Sequence, residues 1–158
     1  APWANLDLIY TPRFDSDRFI DGRRISYWHA GLGRRAGRDA PVRADRPDDA
    51  FDDDEWAARL YRTVGAYEVA LYGYNGFWKS PGGSDPLTGR AIFPRLQACG
   101  ASMRGPCGRG ILSLEAGGYR SRDDRAGADP FVNNGELRYL AGYEQELMRN
   151  LTGGIQYY

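Results

Sequence analysis

The chain of 158 residues predicts an all-β fold, an antiparallel up-and-down transmembrane β-barrel with about seven strands. Three observations carry that expectation. Long runs of alternating character come in pairs joined by short turns. Those turns recur roughly forty residues apart, a period to be weighed as an internal repeat before any other fold. The opposite ends of the same runs open into long, charged, Gly/Pro-rich loops, and short turns at one end with long loops at the other is the layout of bacterial outer-membrane barrels. A β-propeller shares the period but needs four short strands per repeat, where this chain offers two long ones.

The first strand is Trp3 to Pro12, with Ala4, Leu6, Leu8 and Tyr10 on one face and Asn5, Asp7 and Thr11 on the other, since side chains alternate along a strand. Residues 13–54 read as loop: a mixed-charge run with a short aromatic patch, Ile25-Ser26-Tyr27-Trp28. So long a connection is out of place inside a compact domain. It is ordinary as an external barrel loop, folded inward as a constriction or carrying a short hairpin at Arg24 to His29.

Glu55 to Trp78 is the first hairpin, turning at Val64-Gly65-Ala66. Its first arm sets Trp56, Ala58 and Leu60 against Glu55, Arg59 and Tyr61. Its second arm is ambiguous, because Val69 and Leu71 suggest one apolar face while Ala70, Tyr72 and Tyr74 suggest the other. After a loop at 79–90, a second hairpin runs from Ala91 to Arg120 about a turn at Gly105-Pro106-Cys107-Gly108. After a loop at 120–134, a third runs from Gly135 onward about Leu147-Met148-Arg149-Asn150. In these, Leu112, Leu114 and Ala116 oppose Ser113 and Glu115, and Leu137, Tyr139, Ala141 and Tyr143 oppose Glu136, Arg138 and Glu144.

The count is seven, whereas bacterial single-chain barrels have even numbers of strands. The last run, Leu151 to Tyr158, also falls short of the ~9 to 11 residues a spanning strand needs. Residues 1–158 are therefore expected to be one barrel domain or a fragment of a larger barrel, closed by further strands from missing sequence or another chain.

Composition narrows the function classes. The 21 basic and 21 acidic residues cancel, leaving no overall electrostatic case for nucleic acid. Lys79 is the only lysine, and arginine, which holds its charge where solvation is poor, suits a charged lumen. High-GC coding gives the same bias. Low mean hydropathy argues against transmembrane helices, which need ~20 apolar residues. It does not count against a barrel, whose strands are apolar only at alternate positions. Aromatics gather at the loop ends of the strands: Tyr10, Trp56, Phe77, Trp78, Phe93 and Tyr119. They are expected to form an interfacial girdle.

Little here supports chemistry. Two cysteines and the single His29 are too few for a structural zinc site. With the second hairpin turning at Gly105-Pro106, Cys99 sits opposite about Leu112 and beyond bridging reach of Cys107, so two free thiols are expected. The acidic runs Asp48 to Glu55 and Asp123 to Asp129 lack EF-hand spacing. They read as solvated loops, or as surfaces touching divalent-bridged lipopolysaccharide. No nucleophile motif, P-loop or dinucleotide fingerprint occurs; no catalytic residue, cofactor or metal is expected, and the chain is not read as an enzyme.

The segment beginning at Leu71, LYGYNGFWKSPGGSDPLTGRAIFPRLQACGASMRG, together with GYRSRDDRAGADPFVNN and GYEQE downstream, resembles uncharacterised porin-like outer-membrane proteins of Gram-negative bacteria. The resemblance covers most of the chain. It implies an outer-membrane location and a barrel, and it carries no functional residues.

What remains is a row of charges opposite the apolar faces: Asp7, Arg59, Glu68, Arg95, Glu115, Arg138 and Glu144. In a membrane barrel these point inward, because Arg or Lys at the lipid midplane costs ~2 to 4 kcal/mol. They would line a passage for small solutes or pair off to fill a closed barrel, with membrane lipid and lipopolysaccharide as partners outside. A soluble lipocalin-like barrel would invert the faces, apolar inward around one ligand. A structural surface barrel without transport is the third reading.

Overall fold

The computed structural model describes residues 3–158. The chain is built from antiparallel strands, with a single 3-10 turn, Ala30–Leu32, among the described residues. The strands are β1 (Asn5–Thr11), β2 (Tyr27–His29), β3 (Arg34–Ala36), β4 (Glu55–Val64), β5 (Tyr67–Phe77), β6 (Gly83–Ser84), β7 (Ala91–Ile92), β8 (Arg95–Cys107), β9 (Gly110–Ser121), β10 (Glu136–Met148) and β11 (Leu151–Tyr157). Seven of them form one meander in the order β1-β4-β5-β8-β9-β10-β11. The sheet is open: among the described residues β1 and β11 are its two edges and do not pair with each other. Antiparallel all-β architecture and the seven strands agree with the sequence, while closure into a barrel is not observed.

Two-residue turns close the hairpins, and each carries a residue that tolerates positive φ. Gly65 (φ 62) begins the β4–β5 turn and Gly108 (φ 58) the β8–β9 turn, while Asn150 (φ 65) ends the β10–β11 turn. Tight hairpins need such conformations to match strand twist. The second turn lies further along than Gly105-Pro106, which belong to β8. There Pro106 pairs with Ile111 on β9, while the pairing of β8 with β5 reaches only to Glu68↔Arg104. On its β5 side Pro106 is thus an edge position, and a missing N–H is tolerated at an edge. This shift moves Cys99 opposite Gly118 rather than Leu112. Cys99 and Cys107 now lie eight residues apart on one strand, roughly 26 Å at strand rise, and both thiols are free.

The long connections are laced together rather than loose. Within 13–54, β2 and β3 form a small hairpin, so the expected hairpin lies slightly downstream of Arg24 to His29. β6 pairs with β7, and single bridges join Ala44 to Ala91 and Gly83 to Val132. A small apolar core of Phe14, Phe77 and Phe93, with Phe19 and Ala44 packed on it, sits where these loops meet the sheet. Its rings contact edge-on or tilted at 5.3 Å (Phe14–Phe77) and 5.0 Å (Phe14–Phe93).

Candidate functional site: the polar face of the sheet

Register assigns every strand residue to one of two faces, because directly paired residues point the same way and neighbours along a strand point oppositely. The row Leu60↔Leu71↔Ala101↔Ala116↔Tyr139 marks one face. The adjacent row Arg59↔Tyr72↔Gly100↔Gly117↔Arg138 marks the other, with Asp7 opposite Arg59 on β1. The ambiguity in β5 is resolved: Val69 and Leu71 join the first face, and Ala70, Tyr72 and Tyr74 the second.

The first face is apolar along the middle of its strands, and it is exposed. Leu8 is 67 %, Leu71 58 %, Leu137 74 % and Ile155 73 % accessible. Its charges, Arg62, Arg95 and Arg120, fall near strand ends. At the turn end the ring of Tyr67 covers Gly105 and the ring of Tyr143 approaches Gly110. A Cβ at either glycine would lie within 2.6 Å of ring carbons. The two hydroxyls donate to the Pro106 and Cys107 carbonyls, at 2.7 and 3.2 Å.

The second face is polar. Of the residues singled out from sequence, Asp7, Arg59, Glu68, Glu115, Arg138 and Glu144 all lie on it. Arg95 does not. It shares parity with Gln97 and Cys99, beginning β8 at the loop end of the apolar face, where its guanidinium reaches Asp53 at 3.6 Å. Arg104, nine residues on and of opposite parity, takes the place expected for Arg95 and pairs with Glu144. Counting by twos from Glu115 through its partner Ser102 would have found it.

The charges of this face form short-range pairs. Arg59 binds Glu68 at 2.7 Å and lies over the Tyr61 ring at 4.1 Å. Arg138 binds Glu136 and lies over Tyr119 at 4.5 Å. The Tyr72 hydroxyl and Ser102 share a hydrogen bond of 2.9 Å. Between these side chains runs a trough whose floor is Ala98, Gly100 and Gly117. It forms a cavity of about 760 Å³ bounded by Tyr72, Tyr74, Trp78, Tyr119, Glu115 and Arg138.

At the loop end, Glu55 is buried (3 % exposed). Its carboxylate accepts the Tyr74 hydroxyl at 2.6 Å and pairs with Lys79, whose ammonium also donates to the Asp15 carbonyl at 3.0 Å. This cluster ties the first long loop to the mouth of the trough. The sequence offered no signal for it beyond the uniqueness of Lys79.

The six aromatic residues at the loop ends fall into three groups rather than one band. Tyr10 and Trp56 pair on the apolar face, ring centroids 4.4 Å apart. Phe77 and Phe93 are instead buried in the loop core. Trp78 and Tyr119 stack at 6.0 Å beside the cavity. An aromatic residue at a strand end has three uses here, and composition does not separate them.

In the loops, the Asp124 carboxylate accepts the N–H groups of Asp129 (2.8 Å) and Ala128 (3.1 Å). The Asp129 N–H foremost holds this carboxyl below the usual aspartate range, against a smaller opposing effect of burial. Among the described residues no three His, Cys, Asp or Glu side chains converge as a metal site. Comparisons with protein-family models, with curated proteins and with solved structures find nothing that matches this chain.

Proposed function

We propose that the chain is wall of a bacterial outer-membrane β-barrel of porin-like character, passing small solutes along its polar face. The single observation that carries this reading is the segregation of the sheet. The cavity lies on the charged side, while the opposite side is apolar, exposed and free of charge through its middle. A soluble ligand-binding barrel calls for the reverse arrangement, and a contiguous apolar surface of this breadth is a membrane or partner surface. β4, β5, β8, β9 and β10, at 10 to 13 residues, meet the ~9 to 11 a tilted spanning strand requires.

Arg62, Arg95 and Arg120 border the apolar band near its two ends, where arginine forks suit lipid and lipopolysaccharide phosphates. Unpaired sheet edges do not survive in hydrocarbon. On this reading β1 and β11 are covered by further strands.

The two faces can be read chemically. Cys99 lies on the apolar face and Ser102 on the polar face. In lipid vesicles, Cys99 (in Cys107→Ser) should resist a charged maleimide until detergent is added. Ser102→Cys (in Cys99→Ala/Cys107→Ser) should react at once. Equal labelling of both sites, with protein left in solution after the vesicles are pelleted, would sink the proposal.

A further inference from the structure

The ion pairs of the polar face leave a residue of charge with one sign. The basic strand residues of that face are Arg59, Arg104 and Arg138, and each is bound to a carboxylate of the same face: Glu68, Glu144 and Glu136 in turn. Glu55 is matched by Lys79 from the loop. Asp7, Glu115 and Glu146 are left without a cationic partner among the described residues. Asp7 stands opposite Arg59, whose guanidinium is turned to Glu68 instead. Glu115 borders the cavity, directly across from Ser102 on one side and Leu140 on the other. Glu146 lies toward the β10–β11 turn and accepts the Asn150 N–H.

Formal neutrality of the chain therefore conceals a local imbalance. Paired charges largely cancel beyond a few ångströms, whereas an unpaired carboxylate on a low-dielectric wall projects its field into the adjoining water.

We infer that this face selects positively charged small solutes, with Glu115 in the cavity setting the preference and Asp7, on the edge strand β1 of the same face, adding to it from farther away. The inference rests on the barrel reading above. It concerns the sign of the field over the polar face, which is measured separately from membrane insertion. Two residues opposite each other in an antiparallel pair have Cα atoms about 4.5 to 5.5 Å apart, so a thiol at position 102 samples the field of Glu115 closely.

The test uses the full chain in vesicles, Ser102→Cys in the Cys99→Ala/Cys107→Ser background, treated with a cationic and an anionic methanethiosulfonate of matched size. Rates are normalised to those with a free thiol. A carboxylate some 6 Å away in water should favour the cationic reagent about tenfold, and 1 M salt, with a Debye length of about 3 Å, should remove most of that ratio. Glu115→Gln should lower the ratio severalfold, and Asp7→Asn by less. Should Ser102→Cys misfold, Gly117→Cys replaces it, since a Cβ there meets nothing closer than the Tyr119 ring at 3.4 Å and the Cys99 carbonyl at 3.7 Å. A ratio near one, a ratio favouring the anion, or one indifferent to Glu115→Gln would overturn the inference. If Cys99 is protected by lipid and the ratio is flat, charge preference alone falls. If Cys99 is unprotected, the barrel reading falls.

Discussion

At the scale of single residues, the Glu55 cluster makes the sharpest demand. A buried carboxylate is tolerable only while its hydrogen bonds are made. Gly76 keeps them in place by lacking a side chain: a Cβ there would lie 2.5 Å from the Tyr74 hydroxyl and 2.8 Å from Glu55 Oε1. Gly76→Ala should displace the hydroxyl and cost about 1 to 3 kcal/mol, the range for leaving a buried polar group short of a partner. Tyr74→Phe should cost a similar amount. Because both changes break the same bond, the double variant should lose much less than the sum, as read from denaturant unfolding of the refolded protein.

Asp124 makes a second demand of this kind, with a defined pH dependence. Its folded pKa is lowered, so its contribution is fully present above the usual aspartate value of about 3.9. It is lost as pH falls through that value and on through the lower folded one. Amide exchange at Ala128 and Asp129 should be steady in protection from pH 6 to 5 and should lose protection only in stronger acid. Asp124→Asn should abolish that acid step.

Among the elements, hairpins were the easiest to read from sequence and their turns the hardest. Alternation in LLA against SE, or in LYAY against ERE, fixes which residues share a face whatever the exact turn. The strands around Leu112 to Ala116 and Leu137 to Glu144 accordingly pair as alternation requires. The β8–β9 turn was misplaced because Gly105-Pro106 is a turn signal by composition. Only the early end of β5 makes a proline acceptable within β8, and that is a fact about a neighbouring strand. Arg95 was misassigned for a related reason, since face parity at a strand's first residue depends on where the strand starts.

The true turn residue follows from geometry. Gly108 has φ 58 and open space around the position of a Cβ, so the whole cost of a side chain there is backbone strain. Gly108→Ala should destabilise by roughly 1 to 2 kcal/mol, and Gly108→Asn by less, because asparagine tolerates the left-handed region. Gly105→Ala should act by another route, displacing the Tyr67 ring, and Tyr67→Ala should relieve much of its effect. Thermal melts of the four variants separate the two mechanisms.

For the whole molecule, strand number, strand order and the two faces were legible because each follows from local alternation and turn spacing. The odd strand count also anticipated a sheet that these residues do not close by themselves; the burial of Phe77 and Phe93 was not legible, because it depends on what packs against the strand ends. The proposed membrane setting converts the facial segregation into an ordered set of energies.

Leu114 and Glu115 are adjacent on β9 and point to opposite faces, Leu114 between Met103 and Ala141, Glu115 between Ser102 and Leu140. In a bilayer, Leu114→Arg would put a charge into hydrocarbon near midspan, costing about 2 to 4 kcal/mol, while Glu115→Gln would remove an unpaired charge from a wetted surface and leave folding little changed. In water neither residue is deeply buried, and Leu114→Arg would be an ordinary surface change, within about 0.5 kcal/mol. The ranking should be measured by reversible unfolding in vesicles. An apolar face open to water would show Leu114→Arg as mild, so a small penalty in vesicles would sink the reading that this face meets lipid.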